Sequence, residues 1–168
     1  IIKYLLENYC GNLIIDADGL NALSTYGTQI LKNKKCKVIL TPHLGEFSRL
    51  ASIGKQEVVT DSIKYAVEFA KEYQVIVVLK SAVSIITDGN QVYINTTGCS
   101  GMAKAGSGDV LSGFMAGLTA RTNDLLEGAV IASYVFGLAG EYAQKNGCEF
   151  TVTASEIIEQ LPKVIQSL

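Results

Sequence analysis

Short apolar runs alternate with amphipathic stretches along the first half of the chain. The most apolar run, at 75–79, is continuous, which is typical of a strand buried on both faces of a parallel sheet. Strands are predicted at 13–16, 36–40, 75–79, 84–87 and 91–95, with the last two forming a hairpin around the turn at 88–90. Strands that alternate with helices predict an α/β fold, whose ligands bind at the carboxyl ends of the strands.

Helical periodicity fills the rest of the chain. The stretch 63–70 places Ile63, Ala66, Val67, Phe69 and Ala70 on one face, after a cap at Thr60 or Asp61. A stretch at 125–143 is apolar nearly all round and predicts a central buried helix. Further helices are expected at 2–7, 19–23, from Asp109 to 118, and at 156–161 after a cap at Ser155.

Composition places the chain among globular proteins. Apolar residues make up 48% of the 168 residues and charged residues 18%, which excludes intrinsic disorder and favours a single domain over 1–168. The net charge is −2, and Arg49 and Arg121 are the only arginines, so no nucleic-acid partner is expected. No apolar run has the length of a membrane span, so no membrane partner and a cytoplasmic location are expected.

Cysteine and histidine usage excludes two kinds of site. Cys10, Cys36, Cys99 and Cys148 form no CxxC pair, so neither a zinc ribbon nor a disulfide framework is predicted, and a reducing compartment fits best. His43 is the only histidine, which rules out zinc hydrolases that need two imidazoles.

The segment 98–109 is rich in glycine and leads into a predicted helix. Glycines let backbone amides point at an anion, and the helix dipole adds to the same point, so the run Gly106, Ser107, Gly108 predicts a phosphate site. Asp109 is then a candidate base that takes a proton from a substrate hydroxyl. The alternatives are a tight turn with small residues for helix packing, and an acid placed only by the helix dipole.

Polar residues also follow three predicted strands. His43 and Glu46 come after the strand 36–40, and Glu46 is a candidate magnesium contact through water. Asp16, Asp18 and Asn21 follow the first strand, where Asp18 could instead cap the next helix. Lys80 follows 75–79 as a candidate phosphate contact, with a cation at the sheet edge as the alternative.

Four segments together resemble the ADP/ATP-dependent NAD(P)H-hydrate dehydratase family. They are 16–23 (DADGLNAL), 41–47 (TPHLGEF), 79–82 (LKSA) and 101–113 (GMAKAGSGDVLSG), and they occur in the family's order. The resemblance implies a ribokinase-like fold, a mainly parallel sheet in three α/β/α layers. It also implies that the chain corresponds to the C-terminal portion of the family's full domain, and hence to an incomplete domain.

The resemblance further implies repair of hydrated NADH or NADPH. The ring hydroxyl is phosphorylated from ADP or ATP with Mg²⁺, with ADP favoured by the spelling of the glycine loop, and phosphate is then eliminated. Asp109 would be the base, and Gly106, Ser107 and Gly108 would form the anion hole. His43, Asn21 and Asp109 would contact the substrate. The nucleotide would bind Lys80, Ser81, Ala82, Val83, Ser84, Met102, Ala103 and Gly108.

The chain departs from the family pattern at two places, and two other functions are alternatives to this hypothesis. Ser81 stands where the family commonly has glycine, and Cys99 and Ser100 stand where it commonly has Asn-Pro. The alternatives are a related kinase of a hydroxymethylpyrimidine or thiazole alcohol, and a non-catalytic nucleotide-binding domain. The resemblance and the edge strand of an incomplete sheet both lead us to expect a homo-oligomer.

Overall fold

The computed structural model describes all 168 residues, which form two compact units, Ile1–Ile94 and Asn95–Leu168. The sheet has five strands in the order β1-β2-β3-β4-β5. Their bounds are β1 Asn12–Ile15, β2 Lys37–Leu40, β3 Ile76–Leu79, β4 Ser84–Thr87 and β5 Val92–Asn95. The first three strands run parallel and β4 is antiparallel to β3. The predicted α/β fold with a mainly parallel sheet is therefore confirmed.

The first unit also contains five α-helices and one 3-10 helix. They are α1 Ile2–Asn8, α2 Asp18–Tyr26, the 3-10 helix Thr28–Asn33, α3 Leu44–Ala51, α4 Lys55–Thr60 and α5 Ser62–Tyr73. Asp61 caps α5 by accepting a hydrogen bond from the Lys64 backbone, as predicted. The buried face of α5 is Ala66, Phe69, Ala70 and Tyr73, while Ile63 is 44% exposed, so its placement on the buried face was wrong.

The core of the first unit joins the sheet to these helices. Phe47 of α3 meets Phe69 of α5 edge to face, with ring centroids 5.5 Å apart, and Phe69 packs on Tyr73 at 4.6 Å. All four residues of β3 are buried, as a strand covered on both faces requires. This packing fixes the strand ends from which the candidate site residues emerge.

The hairpin between β4 and β5 turns on Thr87 and Gly89. The buried Thr87 hydroxyl accepts from the Gly89 backbone at 2.9 Å and donates to the Gln91 carbonyl at 2.7 Å. Gly89 has φ +91°, and a Cβ there would lie 2.6 Å from the backbone nitrogen of Lys71. Only glycine fits this turn without displacing α5.

The second unit is helical. A 3-10 helix at Ser100–Met102 precedes α6 Ser107–Thr119, α7 Leu125–Asn146 and α8 Ala154–Ser167. Asn95 and Thr97 dock on α7, because the Asn95 amide donates to the Ser133 carbonyl and the Thr97 hydroxyl donates to that of Tyr134. None of the helices is long and apolar enough to cross a bilayer.

Three details of the second unit differ from the sequence-based expectations. Helix α8 is capped by Thr153 in a capping box with Glu156, and not by Ser155. Helix α7 is not buried all round, because Ile131, Tyr134 and Tyr142 are exposed. Helix α6 begins two residues before Asp109.

Candidate active site

The parallel strands bring three polar segments to one sheet edge in the first unit. Ile15 pairs with Leu40, and Leu40 pairs with Val77, so the residues after β1, β2 and β3 emerge side by side. The Lys80 backbone N–H donates to the Pro42 carbonyl at 2.7 Å, and Lys80 forms a parallel bridge with His43. Sequence-predicted residues from three strands are therefore adjacent at the carboxyl end of the sheet.

His43 caps α3 through its side chain. Its Nδ1 accepts hydrogen bonds from the backbone N–H groups of Gly45 at 3.0 Å and Glu46 at 3.2 Å. Because Nδ1 is the acceptor, the proton of the neutral ring lies on Nε2. The side chain remains 57% exposed, so His43 both ends the loop after β2 and presents an N–H donor at the edge of the sheet.

The candidate magnesium contact Glu46 is part of the same cap. Its Oε2 accepts from the His43 backbone N–H at 2.8 Å, and its Oε1 lies 3.6 Å from His43 Nε2. The residue is 8% exposed. No group of three or more His, Cys, Asp or Glu side chains in the chain could hold a metal ion. Any contact of Glu46 with magnesium would therefore use Oε1 through water, as this ion commonly allows.

Asn21 lies on α2 and is held by a residue that sequence reasoning did not select. The Arg49 guanidinium of α3 donates to Asn21 Oδ1 at 3.0 Å, and Asn21 Nδ2 reaches Asp18 Oδ1 at 3.5 Å. Asp18 is not the cap of α2, since the cap position is Ala17 and carries no side-chain hydrogen bond. The signal for Arg49 was its position one helical turn after Glu46 in a helix that begins at Leu44.

Lys80 makes a short ion pair across the sheet. Its Nζ lies 2.9 Å from Asp16 Oδ1, and the two side chains are 23% and 15% exposed. The following segment, 81–83, is an exposed loop before β4. At the start of β4 the Ser84 hydroxyl accepts from the Ser81 backbone N–H and donates to the Ser81 carbonyl. Lys80 is thus a fixed cation, and Ala82 and Val83 project from a loop that is open to ligand.

In the second unit the glycine-rich loop forms the N-terminus of α6. Gly106 takes a left-handed conformation at φ +89°, and a Cβ there would lie 3.3 Å from the Cβ of Ala154. The Ser107 backbone N–H donates to the Lys104 carbonyl, and that of Val110 to Gly106. The backbone N–H groups of Gly108 and Asp109 have no acceptor in the chain, which leaves two donors at the positive end of a 13-residue helix.

Ser107 places an unsatisfied hydroxyl in the first turn of this helix. The residue is 7% exposed, and its Oγ is buried without a hydrogen-bond partner. Asp109, in the first turn of α6, is exposed and makes no hydrogen bond or ion pair within the chain. Two open amides, an unsatisfied hydroxyl and a free carboxylate fit an anion whose neighbouring group must lose a proton.

Of the other residues of the glycine-rich loop, Met102 is packed against neighbouring residues and Ala103 is exposed to solvent. The Met102 side chain lies against Gly98 and Gly140, where a Cβ on Gly140 would be 2.1 Å from Met102 Sδ. Gly113 and Gly117 have open space where a Cβ would be, so close helix packing does not explain them.

Comparison with known proteins identifies relatives of this chain. The family model described as NAD(P)H-hydrate dehydratase matches residues 1–163. The "Bifunctional NAD(P)H-hydrate repair enzyme Nnr" of Moorella thermoacetica is 38% identical over 100% of this chain and 32% of its own length. The "ADP-dependent (S)-NAD(P)H-hydrate dehydratase" of Nitrosopumilus maritimus is 34% identical over 99% of this chain and 55% of its own.

A solved structure gives the fold. The ADP/ATP-dependent NAD(P)H-hydrate dehydratase from Bacillus subtilis, co-crystallised with ATP and Mg²⁺, superposes with a TM-score of 0.81 at 29% identity. It covers 93% of this chain, which spans 55% of that structure. The order of the strands in the sheet, the glycine-rich start of α6 and this superposition together identify a ribokinase-like α/β protein. The chain belongs to the NAD(P)H-hydrate dehydratase family.

Proposed function

We propose that this chain carries the nucleotide-dependent dehydration of hydrated NADH or NADPH back to the reduced cofactor. The observation that carries the proposal is the start of α6, where Gly108 and Asp109 offer unpaired amides beside the unsatisfied Ser107 hydroxyl. In the family to which the chain belongs, relatives are named for this reaction. The chain spans 32% to 55% of the relatives compared, so the activity of the whole protein is included in the proposal.

The start of α6 supports transfer of a phosphoryl group. Negative charge develops on the terminal phosphate as its bond to the nucleotide breaks, and donors fixed in advance stabilise that charge. The Gly108 and Asp109 amides and the Ser107 hydroxyl are such donors, and Gly106 at φ +89° brings the loop into the helix. The sequence predicted a phosphate site at Gly106, Ser107 and Gly108 with Asp109 as a candidate base, but not the Ser107 hydroxyl as a donor.

Asp109 supports the acid-base step. Its carboxylate is exposed and has no partner in the chain, so it is free to accept the proton of the substrate's ring hydroxyl as that oxygen attacks phosphorus. Phosphorylation turns hydroxide, a poor leaving group, into phosphate. Elimination of that phosphate then restores the dihydropyridine ring.

Within the first unit, residues at the sheet edge are further candidate contacts for the nucleotide and the hydrated cofactor. Lys80 is the proposed phosphate contact, its ammonium is paired with Asp16, and the exposed loop 81–83 follows it. His43 presents its Nε2 proton and Asn21 its amide for the hydrated cofactor. In the second unit, the Met102 side chain packs against Gly98 and Gly140 and so holds the glycine-rich loop in place. Ala103 is exposed, and its backbone is the proposed contact with the nucleotide.

We infer that ADP is the preferred donor, with ATP also accepted. The glycine-loop spelling favours ADP, the Nitrosopumilus relative is named ADP-dependent, and the Bacillus structure is named ADP/ATP-dependent. The nucleotide supplies the phosphoryl group, and bound Mg²⁺ would neutralise its phosphates. Glu46 Oε1 is the carboxylate oxygen placed to contact that ion through water.

Following phosphorus through the reaction tests the proposal. The chain is mixed with hydrated NADH and Mg-ADP, and separately with Mg-ATP, and phosphorus NMR records the products. We expect inorganic phosphate to appear together with the shortened nucleotide, in equal amounts with reduced NADH. A stable phosphorylated product without release of phosphate would instead identify a small-molecule kinase. Nucleotide binding without turnover, unchanged in Asp109→Asn, would identify a non-catalytic binding domain.

A further inference from the structure

Lys80 and Asp16 form a pair that joins the ends of two strands separated by β2. Lys80 follows β3 and Asp16 follows β1, yet Nζ and Oδ1 are 2.9 Å apart. With 23% and 15% of their side chains exposed, the pair is shielded from water much more than a surface ion pair. The Lys32–Glu72 pair, at 3.0 Å, has side chains that are 46% and 52% exposed.

Backbone contacts fix the Asp16 side of the pair. Oδ1 of Asp16 also accepts from the Ala17 backbone N–H at 2.9 Å. Ala17 lies at φ 45° and ψ −116°, a strained conformation for a residue with a Cβ. Strained backbone persists only where surrounding contacts hold it, and the bond from the Ala17 N–H to the Asp16 carboxylate is one such contact.

The backbone of Lys80 is held in place, and its ammonium keeps N–H groups that Asp16 does not occupy. Its N–H donates to the Pro42 carbonyl, so the stem starts from a defined point. An ammonium has three donors, and Asp16 Oδ1 is its one acceptor in the chain. Two N–H bonds therefore remain for oxygen atoms of a ligand, while a flexible four-carbon stem loses its freedom before the ligand arrives.

We propose that Asp16 is a positioning residue, which holds the Lys80 ammonium ready for the phosphates of the bound nucleotide. This inference rests on the proposed function, in which Lys80 contacts the nucleotide. In this proposal Asp16 affects nucleotide binding through Lys80. Its contribution should therefore vanish when Lys80 is removed, which a merely structural role would not do.

A double-mutant cycle on the Kd for Mg-ADP, measured by calorimetry, tests the inference. Asp16→Ala should raise the Kd about tenfold, and should leave it unchanged in a Lys80→Met background. Asp16→Asn keeps an acceptor for Lys80 and should stay within about threefold of the parent chain. Glu72→Ala removes one partner of a comparably short but exposed pair, and should leave the Kd unchanged.

The outcomes separate this inference from the proposed function. It is overturned if Asp16→Ala leaves the Kd unchanged, or raises it equally with and without Lys80. It is also overturned if Asp16→Asn weakens binding as much as Asp16→Ala, because the amide retains the acceptor. Dehydration of hydrated NADH is measured in parallel. A chain whose nucleotide affinity depends on Asp16 through Lys80 but which regenerates no NADH would reject the proposed function alone.

Discussion

Removing the Ser107 hydroxyl should stabilise the fold and weaken ligand binding at the same time. Its Oγ is buried and makes no hydrogen bond in the chain. An unsatisfied buried donor costs about 1–3 kcal/mol, whereas the cavity left by one oxygen is small. We therefore expect Ser107→Ala to raise the free energy of unfolding by about 1 kcal/mol. For a chain of this size that raises the Tm by about 2–4 °C.

Ser133→Ala is the matched control. Ser133 is also buried in a helix, but its hydroxyl donates to the Ala129 carbonyl at 2.8 Å. Both substitutions replace a buried helical serine by alanine, so the sign of the difference between them reports whether the hydroxyl has a partner. Thermal melts and urea titrations give the two free energies. A Ser107→Ala chain that is less stable than the parent, or no more stable than Ser133→Ala, would show that the Ser107 hydroxyl carries no such cost.

The effect of Ser107→Ala on ligand binding is measured as the Kd for Mg-ADP. If the Ser107 hydroxyl is kept unpaired for a phosphate oxygen, Ser107→Ala should raise the Kd for Mg-ADP by about five- to tenfold. Ser133→Ala should leave that Kd unchanged. A Kd that does not move in Ser107→Ala would remove the hydroxyl from the proposed anion hole.

Three further predictions concern a turn, the reactivity of two cysteines and the stability of the fold in acid. Gly89→Ala and Gly27→Ala both place alanine at φ near +90°, but only Gly89 faces backbone, 2.6 Å from the Lys71 nitrogen. Chemical unfolding should find Gly89→Ala less stable than Gly27→Ala by at least about 1 kcal/mol, and equal losses would contradict the close approach. The Thr151 hydroxyl lowers the pKa of the exposed Cys148 thiol, while burial raises the pKa of Cys36. Mass spectrometry after brief alkylation should find Cys148 modified before Cys36, and Thr151→Val should slow Cys148; faster labelling of Cys36 would argue against this. Burial raises the pKa of Asp88, but hydrogen bonds from the Gln91 and Asn90 backbones outweigh it and hold the pKa below its usual value. Because the folded pKa lies below the unfolded one, the stability that Asp88 adds is present above about pH 4 and is lost as pH falls through the folded pKa. Acid titration of the unfolding free energy should be shallower in Asp88→Asn, and an unchanged profile would refute the assignment.

The strands were predictable because each is a local apolar run. The run at 36–40 fixes β2 to within one residue, and the proline at 42 marks its end. Helix α3 was not predicted, although Leu44, Phe47 and Leu50 have helical spacing, because its cap is a histidine rather than the usual Ser, Thr, Asp or Asn. The Glu46 side chain that completes the capping box was the available signal.

The sequence predicted those parts of the candidate site whose residues are close together along the chain. The start of α6 is one contiguous segment, so the glycine spacing alone indicated an anion site with Asp109 beside it. The Asp16–Lys80 pair joins residues 64 positions apart, and it follows from the strand order β1-β2-β3. The unsatisfied Ser107 hydroxyl depends on tertiary burial and carries no sequence signal.

The homo-oligomer and the single domain over 1–168 stay predictions.

Regeneration of NADH is the direct measure of the proposed dehydration. Hydrated NADH is incubated with the chain and Mg-ADP, or Mg-ATP, and the return of the absorbance of the reduced nicotinamide is recorded. The account predicts a nucleotide-dependent return that is faster with ADP, and that falls by about 10²- to 10⁴-fold in Asp109→Asn. A return that needs no nucleotide, or that proceeds equally fast in Asp109→Asn, would contradict it.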